Sequence, residues 1–202
     1  MSKGLALAAA GVVALGLGGT YAYTLLAGSD LSNCSTSSTT TEIGGPFELL
    51  DKNGDLVKSE DLIVEPVLIY FGFTFCPDFC PIDMSRNVAA VEILAEQGVS
   101  ATPVFISIDP ERDTPEIVGD YANAYHEKAV GLTGSPEQVK AASQAYRTFY
   151  QKDNSGDPDF YLMQHTTFTY LTLPEHGFVE FFRTDASPEE IADTVACFVA
   201  EA

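Results

Sequence analysis

The chain of 202 residues is long enough for one globular domain and an additional segment, and its 46% of hydrophobic residues excludes a chain that is disordered throughout. With 29 acidic and 10 basic side chains, the formal net charge is −19, which argues against a nucleic acid as partner. Such an acidic surface is ordinary for an extracytoplasmic domain, and it would also suit a basic docking partner.

An uncharged run over residues 4–27 comes first in the chain, with Lys3 before it and Asp30 after it. At about 1.5 Å per residue, a helix over this run would cross a hydrocarbon core of about 30 Å. The lysine favours a cytoplasmic N-terminus. We therefore predict a membrane anchor over residues 1–27. The alternative is a cleaved signal peptide, but the run is long for one and no small-x-small site follows it.

Residues 28–45 are rich in Ser and Thr and predict a flexible linker, so the folded domain is predicted over residues 46–202. Cys34 lies in this linker, where the preceding residues match a lipidation site poorly. Cys197 lies in a predicted C-terminal helix, where we expect a small buried side chain. The four cysteines would also fit two disulfides.

Strands and helices alternate through the predicted domain. The predicted strands cover residues 47–50 and 56–57, which form a hairpin around Asn53-Gly54, and then 67–73, 102–108, 129–132, 167–173 and 178–183. The predicted helices cover residues 81–97, 115–126, 136–150 and 188–200, and residues 151–158 are predicted to be a polar turn. This order predicts an α/β fold in which helices sandwich a mixed sheet.

Two cysteines lie where a buried strand ends and a helix begins. Cys76 and Cys80 follow the apolar run 67–73, and Pro81 suits the first turn of the next helix. Free N–H groups and the helix dipole lower the pKa of a thiol at such a place. The pair therefore indicates either a redox dithiol or two ligands of a soft metal, and a plain structural pair is the alternative.

Three blocks of the sequence resemble the Sco/SenC copper proteins. The blocks are residues 70–81, residues 107–115 and the segment Gln164-His165-Thr166-Thr167-Phe168, in this order. The resemblance spans roughly residues 45–200. One departure is Phe75, where many members of the family carry histidine. The resemblance implies a thioredoxin-like fold, a membrane anchor and a copper site made by Cys76, Cys80 and His165.

The same resemblance implies a metallochaperone that supports assembly of the copper A site of cytochrome c oxidase. Its partner would be the copper A-bearing subunit or another copper chaperone, and it would lie in a bacterial inner membrane with its domain in the periplasm. The alternatives are a thiol–disulfide oxidoreductase that reduces the partner's cysteines, and a copper or redox sensor. The oxidation state of the copper and a fourth ligand stay open.

The residues around His165 support a metal independently of the family. Thioredoxin-like proteins commonly place a proline beside the dithiol in a Pro-Thr-x-Phe segment, and His165 takes the place of that proline here. A histidine supplies a nitrogen donor where proline would block the site. Copper(I) is a soft ion that thiolates and an imidazole serve well.

Other chemically capable side chains are assigned plainer roles. We expect Asp78 to be a carboxylate at a helix start, although it could also tune the thiols. We expect Met163 to pack in the core, and His126 and His176 to be structural or surface residues. The charged side chains of the second block are expected to organise a loop, with partner docking as the alternative: Asp109, Arg112 and Asp113.

Overall fold

The computed structural model describes residues 31–35, 43–154 and 160–202. The predicted anchor over residues 1–27 and most of the predicted linker lie outside these residues. Within the described ranges, no helix is both long enough and apolar enough to cross a bilayer.

The described chain alternates strands and helices, as predicted. The strands are β1 (Glu48–Leu50), β2 (Leu56–Lys58), β3 (Val67–Gly72), β4 (Thr102–Ser107), β5 (Val130–Leu132), β6 (Tyr150–Lys152), β7 (Met163–His165), β8 (Thr169–Leu173) and β9 (Gly177–Phe182). The helices are α1 (Ser59–Leu62), α2 (Phe79–Glu96), α3 (Pro115–Tyr125), α4 (Pro136–Ala145) and α5 (Pro188–Glu201).

A five-stranded mixed sheet forms the centre, in the order β5-β4-β3-β8-β9. Strands β3, β4 and β5 pair in parallel, whereas β8 pairs antiparallel with both β3 and β9. Two short antiparallel pairs, β1 with β2 and β6 with β7, lie outside this sheet.

Strand β3 is buried along its whole length because helices cover both faces of the sheet. Leu68 packs in a cluster with residues of α2 and α5, whereas Ile69 and Phe71 pack in a cluster with residues of α3 and α4. Complete burial of such a side chain stabilises the fold by about 1.5–3 kcal/mol. The predicted mixed sheet sandwiched by helices is confirmed.

Three helices begin as the sequence predicts. Thr114, Ser135 and Ser187 each precede a proline, and the side chain of each accepts a hydrogen bond from a backbone N–H of the first turn. Each cap contributes about 1 kcal/mol. Helix α2 ends just before Gly98, whose φ of +81° is in the left-handed region that glycine adopts without strain.

Helix α4 is shorter than predicted. It ends at Ala145, not near Tyr150, and Arg147 adopts a left-handed φ of 54°. The following residues form β6, which pairs with β7 and so replaces the first part of the predicted polar turn. Pairing with a distant strand decides this end of the helix, and the local sequence carries no stop signal there.

The expectation for Cys197 is wrong, since Cys197 forms a disulfide with Cys34 across 163 residues. Leu31 and the buried Cys34 pack against the cluster that includes α5. The Ser35 hydroxyl donates a hydrogen bond to the buried carboxylate of Glu180 at 3.2 Å. The segment 31–35, predicted as part of a flexible linker, is therefore docked on the domain.

We predict that the double substitution Cys34→Ser/Cys197→Ser lowers the free energy of unfolding by about 2–5 kcal/mol, because the disulfide restricts the unfolded chain over a very long loop. Urea denaturation of the oxidised protein measures the change. Reductant added to the wild type should produce a similar loss. An unchanged unfolding midpoint in the double variant would contradict the prediction.

Candidate metal centre

Two sulfurs lie at the carboxyl end of β3. Cys76 is half-buried in the loop after the strand, and Cys80 is fully buried in the first turn of α2. The first turn of α2 can pack this closely against β3 because Gly72 has no side chain. A Cβ at Gly72 would lie 2.9 Å from the Cys80 Sγ and equally close to the Phe105 and Tyr70 rings.

An imidazole completes the group from the other side of the cleft. His165 is the last residue of β7 and pairs with Tyr150 of β6. The ligand atoms of Cys76, Cys80 and His165 all lie within 4.8 Å of one another. The cleft around Cys76 and His165 has a volume of about 320 Å³ and is open to solvent. The three predicted side chains therefore meet at one accessible point.

Hydrogen bonding fixes which nitrogen of His165 faces the sulfurs. The Nδ1 atom lies 2.8 Å from the Thr166 carbonyl oxygen, which can only accept, so Nδ1 carries the proton. In the neutral imidazole, the Nε2 atom then presents its lone pair, and it lies 3.7 Å from the Cys80 Sγ. The rings of Tyr70 and Phe73 pack edge-on against the imidazole. The surrounding protein thus orients the Nε2 atom towards the sulfurs.

The two thiols have opposite acid–base properties. A hydrogen bond from the Cys80 thiol, the contact with the His165 imidazole and the N–H groups of Cys80 and Asp78 together lower the pKa of Cys76 to about 4, and burial opposes them. The Cys80 N–H lies 3.4 Å from the Cys76 Sγ. The hydrogen bond with the Cys76 sulfur and the burial of Cys80 both raise the pKa of Cys80. At neutral pH the half-buried sulfur of Cys76 is therefore a thiolate, and the buried sulfur of Cys80 keeps its proton.

The loop that follows β4 holds the cysteine loop in place. The buried carboxylate of Asp113 accepts hydrogen bonds from the Thr74 N–H at 3.0 Å and the Thr74 hydroxyl at 2.5 Å. A third bond comes from the Ser107 hydroxyl at 2.6 Å. Burial raises the pKa of the Asp113 carboxyl, and these three donors oppose that effect. Asp113 thereby fixes the backbone two residues before Cys76.

The same loop also holds the histidine segment. The Tyr161 hydroxyl donates to the Asp109 carboxylate at 2.7 Å, and the Arg112 Nε donates to that carboxylate at 2.6 Å. The Arg112 guanidinium stacks 3.5 Å from the centre of the Tyr161 ring, and the Lys152 ammonium lies 3.7 Å from it. Tyr161 precedes β7, so these contacts fix the segment that ends at His165.

A buried ion pair lies beside the site on α2. The Arg86 Nη1 and the Asp83 Oδ1 are 2.8 Å apart, and both side chains are almost fully buried. The Arg86 Nη2 also donates to the Thr169 hydroxyl at the start of β8. Burial raises the pKa of Asp83, and the Arg86 charge opposes it. The pair ties the helix that carries Cys80 to the strand that follows the histidine segment.

The remaining candidates have the plainer roles that the sequence indicates. Asp78 is the residue before α2, and its side chain makes no capping hydrogen bond. Met163 packs against the main hydrophobic cluster. The His126 Nδ1 accepts a hydrogen bond from the Lys128 N–H at the end of α3, and His176 lies in the exposed turn between β8 and β9. The charged side chains of the second block do organise a loop, as predicted.

Sequence reasoning missed Tyr161, which links the histidine segment to Asp109. No local pattern marks a tyrosine whose partners lie 52 residues earlier in the chain. It also assigned no role to Phe79 and Ile82, although a signal existed. They lie on the opposite side of α2 from the apolar positions Met84 and Val88, and they are exposed.

Comparisons with known sequences agree on one group of relatives. The sequence model of the family described as SCO1/SenC matches residues 35–200. The chain is 46% identical over 202 residues to Protein SenC of Rhodobacter capsulatus, covering 98% of this chain and 91% of that one. It is 37% identical to the mitochondrial Protein SCO1 homolog of Homo sapiens, covering 76% of this chain and 52% of the relative.

Solved structures of relatives share the fold. The copper-bound ScoI of Arabidopsis thaliana superposes with a TM-score of 0.74 and 39% identity, covering 79% of this chain and 99% of that one. Copper-bound yeast Sco1 superposes with a TM-score of 0.74 and 32% identity, covering 80% of this chain and 91% of that one. The described domain therefore has the thioredoxin-like α/β fold of Sco proteins.

We predict that Cys76 of the reduced, metal-free protein reacts with iodoacetamide at a rate that changes little between about pH 6 and pH 8, because its lowered pKa keeps it ionised throughout. An ordinary thiol with a pKa near 8.5 would react roughly 75-fold faster over this range. Mass spectrometry of the alkylated peptides measures the rate. The Cys76→Ser control, which leaves the buried Cys80, should react slowly. A rate that rises as steeply as that of a free cysteine would refute the lowered pKa.

We also predict that Tyr161→Phe loosens the histidine segment, because it removes one hydrogen bond to the Asp109 carboxylate and lowers stability by about 1–3 kcal/mol. Hydrogen exchange of the Thr166 amide, which donates to the Phe149 carbonyl, should quicken by more than the global loss of stability explains. The control is Tyr146→Phe, which loses a bond to Thr172 in the core. If both variants speed exchange of the Thr166 amide equally, Tyr161 does not hold the histidine segment.

Proposed function

The chain belongs to the SCO1/SenC family, and on that premise we propose that it is a copper metallochaperone. It binds one copper ion through Cys76, Cys80 and His165, and it passes the ion to a partner by exchange of ligands. The observation that carries the proposal is the meeting of two thiols and an oriented imidazole nitrogen at an open cleft.

The donor set suits copper. Two sulfurs and one neutral imidazole match the soft copper(I) ion, and relatives with 39% and 32% identity have been solved with copper bound. The asymmetry of the thiols supports loading and release. The Cys76 thiolate is ready to bind, whereas Cys80 must lose its proton when the ion enters. Because the cleft is open, a partner's ligand can approach the bound ion.

The setting we propose is the outer face of a bacterial inner membrane. Residues 1–27 act as a single-pass anchor, supported by the uncharged run over residues 4–27. The Cys34–Cys197 disulfide supports an oxidising compartment such as the periplasm. The partner we propose is the copper A-bearing subunit of cytochrome c oxidase, which receives the ion during assembly of its copper site.

The asymmetric dithiol also favours a second function, thiol–disulfide exchange with that partner. The Cys76 thiolate would attack a disulfide of the partner and form a mixed disulfide. The Cys80 sulfur, after losing its proton, would then attack Cys76 and release the partner as a dithiol. This chain would end oxidised and the partner reduced by two electrons. The two functions are compatible, since copper needs the reduced pair.

We predict that His165→Ala lowers the affinity of the reduced protein for copper(I) by at least about 100-fold, since even substitutions beside metal ligands cost 10–100-fold. Competition with a chromophoric copper(I) chelator measures the affinity. The control is His176→Ala, which removes the exposed imidazole of the β8–β9 turn. An unchanged affinity in His165→Ala would exclude His165 as a ligand.

The same variants separate the two functions. If reductase activity towards the partner's disulfide is the main role, it survives in His165→Ala and is lost in Cys76→Ser. If copper delivery is the main role, copper transfer to the partner is lost in both variants, because each removes a ligand. The reduction rate of the partner's disulfide and the copper content of the partner are the two measurements.

A further inference from the structure

Large hydrophobic side chains are exposed around the mouth of the cleft. Five of them form what we call the apolar rim, with exposed fractions between 44% and 66%: Phe75, Phe79, Ile82, Phe160 and Leu162. Single exposed hydrophobic residues occur on most proteins, but a group around one opening marks a contact surface. Of the other large exposed residues, Val64 lies in the loop before β3 and Ile117 lies on α3, whereas Phe149 pairs with Thr166 beside the histidine segment.

The rim is continuous with the metal centre. Phe79 and Leu162 line the cleft together with Cys76 and His165. The Phe75 and Phe160 rings lie 6.3 Å apart, so the cysteine loop and the histidine segment meet at the surface as well. Ile82 lies one helical turn after Phe79 on α2 and extends the rim along the helix.

Burial within the chain does not explain these side chains. Helix α2 buries Cys80, Met84 and Val88 against the core, while Phe79 and Ile82 point away from it. A polar residue at either place would leave that packing unchanged. Phenylalanine is enriched in the buried centre of protein interfaces, so the composition of the rim suits a protein partner.

We propose that the apolar rim is the docking surface for the copper-accepting protein, whose matching surface is an apolar patch flanked by basic residues. This inference rests on the proposed function, because copper passes by ligand exchange only if the partner's ligands reach the cleft. A partner seated on the rim would bring its ligands beside Cys76 and His165, and it would exclude water while the ion moves.

The negative charge of this chain indicates a partner with basic residues. Asp78 is exposed at the mouth of the cleft and has no ion-pair partner among the described residues. The two basic side chains at the Tyr161 end of the rim are already neutralised, Arg112 by Asp109 and Lys152 by Glu111. A second copy of this chain, with its own net charge of −19, would be repelled. A partner with basic residues around an apolar patch would be attracted.

The test measures docking without copper. The full chain in detergent, reduced and metal-free, is titrated with the soluble copper A domain of cytochrome c oxidase, which is also metal-free. Calorimetry measures the dissociation constant. Ile82→Ser/Phe160→Ser should weaken binding by at least about tenfold, since the few residues that carry most of the binding energy of an interface lie in its buried apolar part. Binding by the wild type should also weaken as salt is added.

The matched control is Val64→Ser/Ile117→Ser, which removes two exposed hydrophobic residues outside the rim and should leave binding within twofold of the wild type. Equal binding by the rim variant and the wild type, or equal losses in both variants, would overturn the proposal, as would a wild type that does not bind. A dimer in sedimentation that the rim variant lacks would assign the rim to a second copy instead. If the wild type docks but binds no copper, only the proposed function is refuted.

Discussion

The carboxylates of Asp109 and Asp113 hold together the two halves of the candidate metal centre. Asp113 binds the backbone before Cys76, and Asp109 binds Tyr161 before His165. Both carboxylates lie in the loop after β4, so one short segment fixes two loops that come from distant parts of the chain. Hydrogen bonds to a buried carboxylate are strong because the surroundings screen charge poorly. The distance between sulfur and imidazole depends on these bonds.

The two sulfurs differ because they occupy different positions at one helix start. Cys76 lies before the helix and receives N–H donors, whereas Cys80 lies within the first turn and is enclosed by Gly72 and aromatic rings. A thiolate beside a protonated thiol gives the site one ready ligand and one that must be deprotonated. Such a pair would suit the proposed copper carrier, which must hold an ion and also release it.

The surface around the centre is organised on the same elements as the centre itself. The rim follows the cysteine loop, the first turn of α2 and the segment before β7. Arg112 contacts both Phe75 of the rim and Tyr161. Any movement of these loops would therefore change the distances between the sulfurs and the imidazole and the shape of the apolar rim together.

The sequence by itself determined the features that depend on neighbouring residues. The alternating elements, the capped helices, the buried β3 and the two thiols at a helix start all follow from local patterns and spacing. The family resemblance added His165 to them. The tertiary structure alone decided the Cys34–Cys197 disulfide, the pairing of β6 with β7, the contact of Tyr161 with Asp109 and the gathering of the rim. Each of these joins residues that are far apart in the chain, and local propensity carries no information about such contacts because the folding of the whole domain brings them together.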